Sequence, residues 1–174
     1  MFEQTASGNA PVSFTERLAT SQQFSDMFRD GMSLVEETAT YLDGPGRKEA
    51  KTLGRAAALA YATESMRLTT KLMQLASWLL LHRAVREGEM SLAQANKEKS
   101  KVKLNGPDRA DPRNIELLPA PLQELILRSN DLQAKVRRFD ATIHNPPAPT
   151  NVMVGSPVGR QIGLLRAAFE QDAH

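Results

Sequence analysis

The stretch Leu68-Thr69-Thr70-Lys71-Leu72-Met73-Gln74-Leu75-Ala76-Ser77-Trp78-Leu79-Leu80-Leu81-His82 decides the fold of this 174-residue chain. Leu68, Leu72, Leu75, Leu79 and His82 follow one another in steps of four and three. The same rhythm runs back through Ser65, Tyr61, Ala58 and Gly54. Such alternation keeps one stripe of a helix facing one way. The spacing predicts a long helix over 47–87, Ala-rich in its first half and ended by Glu87-Gly88-Glu89. Around 75–81 it is apolar on every side, and a helix apolar all round is buried all round. At about 1.5 Å per residue it would reach about 60 Å, against about 43 Å for the helix before it. One partner helix cannot cover such a rod. The expectation is that a second copy does so, through Leu75, Leu79, Leu80 and His82.

Working outward, a first helix is expected over 14–42. Its seam is Phe14, Leu18, Ser21, Ser25, Phe28, Met32, Val35, Ala39 and Leu42, widened by Phe24, Met27 and Leu34. Ser13 and Glu16 form a capping box at its start, and Asp43-Gly44-Pro45-Gly46 ends it. A second capping box, Ser91 with Gln94, opens a short polar helix over 92–103, and a loop follows over 105–118. A third helix begins near Pro119 or Pro121, with the seam Leu118, Leu122, Leu125, Ser129, Leu132, Val136, Phe139 and Ile143. His144 caps its end. The expected fold is therefore all-α: an antiparallel three-helix bundle over 1–144, with a short extra helix after helix two. Residues 145–174 are expected to be a flexible C-terminal tail. In it Val158, Ile162, Leu165 and Phe169, with Arg160 beside them, form a short amphipathic face. That face either docks on a partner or folds back on the bundle.

Composition agrees. Ala (22) and Leu (21) dominate, whereas Val and Ile together number 12, so helix formers far exceed strand formers. There is no Cys, which excludes disulfides, a thiol nucleophile and Cys-ligated metal, and suits a reducing compartment. Three His leave little for a metal site, and no cofactor is expected. No secretory leader pattern opens the chain, and its longest charge-free apolar run, Leu72–Leu81, is too short for a membrane span. The expectation is a soluble cytoplasmic protein with no membrane partner.

No catalytic constellation is present. The chain lacks the Glu-x-x-His pairs of di-iron bundles, zinc-protease motifs and P-loops. His82 sits on the helical seam, where a packed histidine is the ordinary case. The expectation is a protein that is not an enzyme. Opposite the Leu seam runs a second stripe, Thr63, Arg67, Thr70, Gln74 and Ser77, flanked by Glu64 and Lys71 and beside Trp78 as an exposed aromatic. Adaptable hydrogen-bonding groups beside Arg and Trp suit a protein-contact surface. Charge is uneven: residues 1–43 hold a net of −5 and the remainder +7. The bases at 97–103 and Lys135, Arg137 and Arg138 raise a second reading, a small DNA-associated regulator. No aromatics interleave with them, and a solvated face is the favoured account.

Tyr41-Leu42-Asp43-Gly44-Pro45-Gly46-Arg47, then Glu64-Ser65-Met66-Arg67-Leu68-Thr69-Thr70, Trp78 and Glu87-Gly88-Glu89 carry a resemblance. With the whole stretch Leu59–Met90, they make the chain similar to the RcdA family, the regulators of CtrA degradation. The resemblance covers roughly 14–104 and thins beyond. It implies an alphaproteobacterial, cytoplasmic three-helix bundle that forms a homodimer and acts as an adaptor. Such adaptors join the ClpXP protease once it is primed by the response regulator CpdR. They bring it transcription-factor substrates such as CtrA, in some relatives with a cyclic-di-GMP-binding adaptor. The resemblance also implies a functional, mobile C-terminal extension.

Overall fold

The computed structural model describes residues 14–101 and 111–144, with the side chains of 14–16 left aside. The chain divides into two units, Met1–Phe139 and Asp140–His174. Among the described residues every regular element is a helix: α1 Phe14–Asp43, α2 Pro45–Ala50, α3 Arg55–Arg86, α4 Leu92–Lys99, α5 Pro112–Glu116 and α6 Ala120–His144. The all-α expectation therefore holds. The cap at Ser13, the bases beyond Lys101 in the 97–103 run, and the tail lie outside the described residues.

α1 ends at Asp43, where Gly44 N–H donates to the Thr40 and Tyr41 carbonyl oxygens at 3.1 and 3.3 Å. Pro45 then opens α2, a position that needs no N–H. The expected helix over 47–87 is in fact two. Lys51 and Thr52 N–H close the end of α2 on the Lys48 and Glu49 carbonyl oxygens at 3.2 and 3.0 Å. Gly54, extended at ψ 163°, then starts α3. The glycine placed on the seam by its spacing is a helix start. With the break, α3 has 32 residues and α1 has 30, so the expected length mismatch disappears. The capping box at Ser91 forms as expected, its hydroxyl accepting from Gln94 N–H at 3.2 Å. The expected loop at 105–118 contains α5, whose Asp111 side chain accepts from Arg113 N–H at 3.0 Å.

Within the first unit α1 runs antiparallel to α3, with Ser21 beside Arg86 and Gly31 beside Leu79. It also runs antiparallel to α6, with Glu37 beside Arg128 and Phe24 beside Phe139. α6 consequently runs alongside α3 in the same direction, Asn130 beside Lys71 and Phe139 beside Trp78. The long connection through α4 and α5 makes that arrangement reachable.

The core is drawn from Phe24, Met27 and Leu34 of α1, from Leu68, Leu72, Leu75, Trp78 and Leu79 of α3, and from Leu122, Leu125, Leu132, Val136 and Phe139 of α6. Within the first unit the expected third-helix seam is buried from Leu118 to Phe139. The α1 seam is offset. Phe24, Met27, Gly31, Leu34, Thr38 and Tyr41 are buried, while Leu18 is exposed. Gly31 holds that seam because a Cβ there would lie 2.5 Å from Leu79 Cδ1. In the second unit, the described residues are the last turn of α6, where His144 Nδ1–H donates to the Asp140 carbonyl oxygen at 2.8 Å.

Candidate protein-contact surface

The dense apolar zone of α3 is covered from within the chain. Leu75, Leu79 and His82 are buried, and Trp78 is 0% exposed. Trp78 stacks on His82 with ring centroids 5.0 Å apart and planes 5° from parallel, and it meets Phe139 edge-on at 6.1 Å. Phe24 closes on His82 at 5.1 Å, and Lys99 Nζ of the short α4 lies 5.2 Å from the Trp78 ring centre. Aromatic pairs of this kind contribute about 0.5–1.5 kcal/mol each beyond area burial. Trp78 is thus a core residue and not an exposed contact. Leu75, Leu79 and His82 face the chain's own core and not a second copy. The missing cover is α4 together with the Phe139 turn of α6. Of the four residues expected to bind a second copy, Leu80 alone is exposed, at 52%.

The polar stripe is likewise split. Glu64 is buried, with its Oε1 accepting from Arg67 Nη1 at 3.1 Å across one helical turn. Lys71 is half-buried and its ammonium donates to Asn130 Oδ1. Arg67, Thr63, Gln74 and Ser77 are half-buried, and Thr70 is exposed. Glu64 and Arg67 therefore pair within α3, Lys71 ties α3 to α6, and Thr70 remains the open member. Arg160, Ile162, Leu165 and Phe169 lie outside the described residues. In the basic run, Lys99 covers Trp78 and Lys101 pairs with Glu98 at 2.9 Å, so part of that charge is already engaged.

What sequence reasoning missed is the outward face of α3. Leu59, Met66, Met73 and Leu80 are 70, 72, 66 and 52% exposed and stand seven residues apart. Ala62, Thr69 and Ala76 fill the half-steps, and no charged residue interrupts the line between Leu59 and Leu80. Its hydroxyls turn inward on their own helix. Thr69 Oγ1–H donates to the Ser65 carbonyl oxygen at 2.8 Å, and Ser77 Oγ–H to that of Met73 at 2.8 Å. With those donors satisfied, the surface presents methyls and thioethers over about 32 Å of helix. Exposed apolar faces of this extent mark interaction sites. The signal was available as a second heptad inside the motif, masked by the first.

Beside this seam, at the corner of α1, α2 and α3, Tyr41 Oη–H donates to Glu49 Oε2 at 2.8 Å. Burial first, then that bond, pushes the Tyr41 phenol well above its ordinary range, so it stays a donor. Burial, with Glu49 nearby, also raises the Tyr61 phenol. Gly46 makes this corner possible, since a Cβ there would meet Tyr61 Oη at 2.7 Å and the Tyr41 ring at 2.8 Å.

Among the described residues no three His, Asp or Glu come together to hold a metal ion, and no helix is long and apolar enough to cross a membrane. The features define an α-helical bundle with an exposed, uncharged apolar line along α3. Residues 15–169 match the family described as protein of unknown function (DUF1465). The crystal structure of RcdA from Caulobacter crescentus CB15 is similar to this chain at 50% sequence identity, covering 69% of this chain and 89% of that one with a TM-score of 0.57. Among curated proteins none matches. The chain belongs to the RcdA family.

Proposed function

We propose that this chain is a non-enzymatic adaptor for regulated proteolysis. It tethers CtrA-type cell-cycle transcription factors to ClpXP primed by a CpdR-type response regulator, works in the cytoplasm as a homodimer, and accommodates a cyclic-di-GMP-binding adaptor. Family membership supports the reading, and the observation that carries it is the bare seam of α3. An adaptor needs contact surfaces and no reactive groups.

A second copy suits that seam because the seam is self-complementary. Read from either end it runs Leu, Ala, Met, Thr, Met, Ala, Leu at 59, 62, 66, 69, 73, 76 and 80. In a two-fold contact residue i meets j while j meets i. Antiparallel α3 helices would set Leu59 on Leu80 and Met66 on Met73, with small residues between them for close approach. Fully burying a Leu or Met side chain contributes about 1.5–3 kcal/mol.

The test is a reconstituted degradation reaction with protease, response regulator and a CtrA-type substrate. Adding the chain should accelerate substrate loss, and deleting 158–174 should abolish that gain while leaving thermal unfolding of the bundle nearly unchanged. Substrate loss at the same rate with and without the chain would refute the adaptor reading. A large loss of stability on deletion would show that the tail belongs to the core.

A further inference from the structure

The corner where α1 turns through α2 into α3 carries a surface of different chemistry. Arg47, Lys48, Lys51 and Arg55 are all exposed there, and no ion pair among the described residues engages them. The one acid in this segment, Glu49, is held by the Tyr41 hydroxyl. Beside the cations opens a groove of about 410 Å³ lined by Leu42, Arg47, Ala50, Ser65, Met66 and Thr69 among others. The Ser65 hydroxyl donates to its own helix at 2.6 Å, so its lone pairs are left to accept an N–H group.

The charge pattern limits what can lie here. On the other side of the same turn Glu36 and Glu37 line a separate hollow with Thr40, Tyr41 and Pro45, and Asp43 is exposed. Glu37 is paired with Arg128, but a long polyanion crossing the cations would still run onto the Glu36 and Asp43 carboxylates, whereas a short anionic segment would stop before them. The Leu42, Ala50 and Met66 side chains in the groove beside the cations further favour a peptide, which can place an apolar side chain there, over a phosphate backbone, which cannot. We propose that the α2 corner binds a short acidic peptide segment of a partner protein, an aliphatic side chain entering the groove and carboxylates meeting Arg47, Lys48 and Lys51. The site borders the α3 seam at Met66 and Thr69 but rests on α2, and it stands whether or not the chain delivers substrates to a protease.

The test is fluorescence anisotropy with the full chain and a labelled dodecapeptide of Asp and Glu interrupted by two Leu. Saturable binding that weakens with salt is expected. The Arg47→Glu/Lys51→Glu chain should bind at least about tenfold more weakly, as should the wild type toward a probe with Ser in place of Leu. A Lys48→Glu/Lys51→Glu chain, altered only at exposed positions outside the groove lining, should lose binding in the same direction with unchanged thermal unfolding. No binding at low salt, or binding undiminished by either double variant, overturns the proposal. A short DNA duplex that binds more tightly than the peptide and is lost with the same cations overturns it in favour of nucleic acid.

Discussion

Thr38 is buried in the α1 seam, and its Oγ1 is the one buried side-chain polar atom among the described residues without a hydrogen-bond partner. A buried unpaired hydroxyl carries an uncompensated desolvation cost. Thr38→Val, which keeps the shape, should therefore stabilise the bundle by about 1 kcal/mol, measured by urea unfolding; a destabilised variant would mean the hydroxyl is satisfied in solution. Thr38 also shows why the α1 seam was only half legible. A polar residue and Gly31 occupy two of its buried positions, so an apolar pattern one residue away looked more regular. Trp78 was misplaced for a different reason. The side chains that cover it, Phe139 and Lys99, are remote in sequence, and no local pattern announces them.

At the scale of the element, α6 was legible because its large apolar residues, Leu127 apart, fall on one side. α3 was not, because it carries two seams. The inner one packs the core and the outer one meets solvent, and their sum looks uniformly greasy. Substitution separates them. Leu75→Glu places a carboxylate in the core and should unfold the chain, whereas Met73→Glu, at an exposed helical position, should leave it folded and change the single chain's stability, read at a concentration that dissociates pairs, by no more than about 0.5 kcal/mol. Comparable losses in thermal unfolding would contradict the assignment. Between elements, Arg128 of α6 donates to both carboxylate oxygens of Glu37 in α1. The Arg128 hydrogen bonds first, then that from Ser33, hold the Glu37 carboxyl below its usual range. A carboxylate lowered on folding stabilises above its unfolded pKa, and that stabilisation is lost as pH falls through the folded value. Both partners are partly exposed, so Glu37→Gln should cost less than about 1 kcal/mol at neutral pH. The difference from wild type should fade as pH drops below about 4.3, followed by urea unfolding across pH; a difference constant with pH would contradict the pairing.

At the scale of the molecule, three long helices and their breakers were readable from the sequence, and family resemblance supplied the direction of the functional reading. The same-direction course of α6 beside α3 was not readable, because it depends on where α4 and α5 pack. That packing relocates the surface for assembly: Leu75, Trp78, Leu79 and His82 are closed off by the chain itself, and α3 leaves open the line from Leu59 to Leu80. The most direct test is light scattering on the full chain across a concentration series, beside a Met66→Glu/Met73→Glu chain whose helical circular dichroism matches the wild type. The expected result is a wild-type mass of about twice the 19.2 kDa chain mass and a variant mass of one chain. A wild type that stays at one chain mass throughout, or a double variant that still pairs, would contradict the assignment of this face.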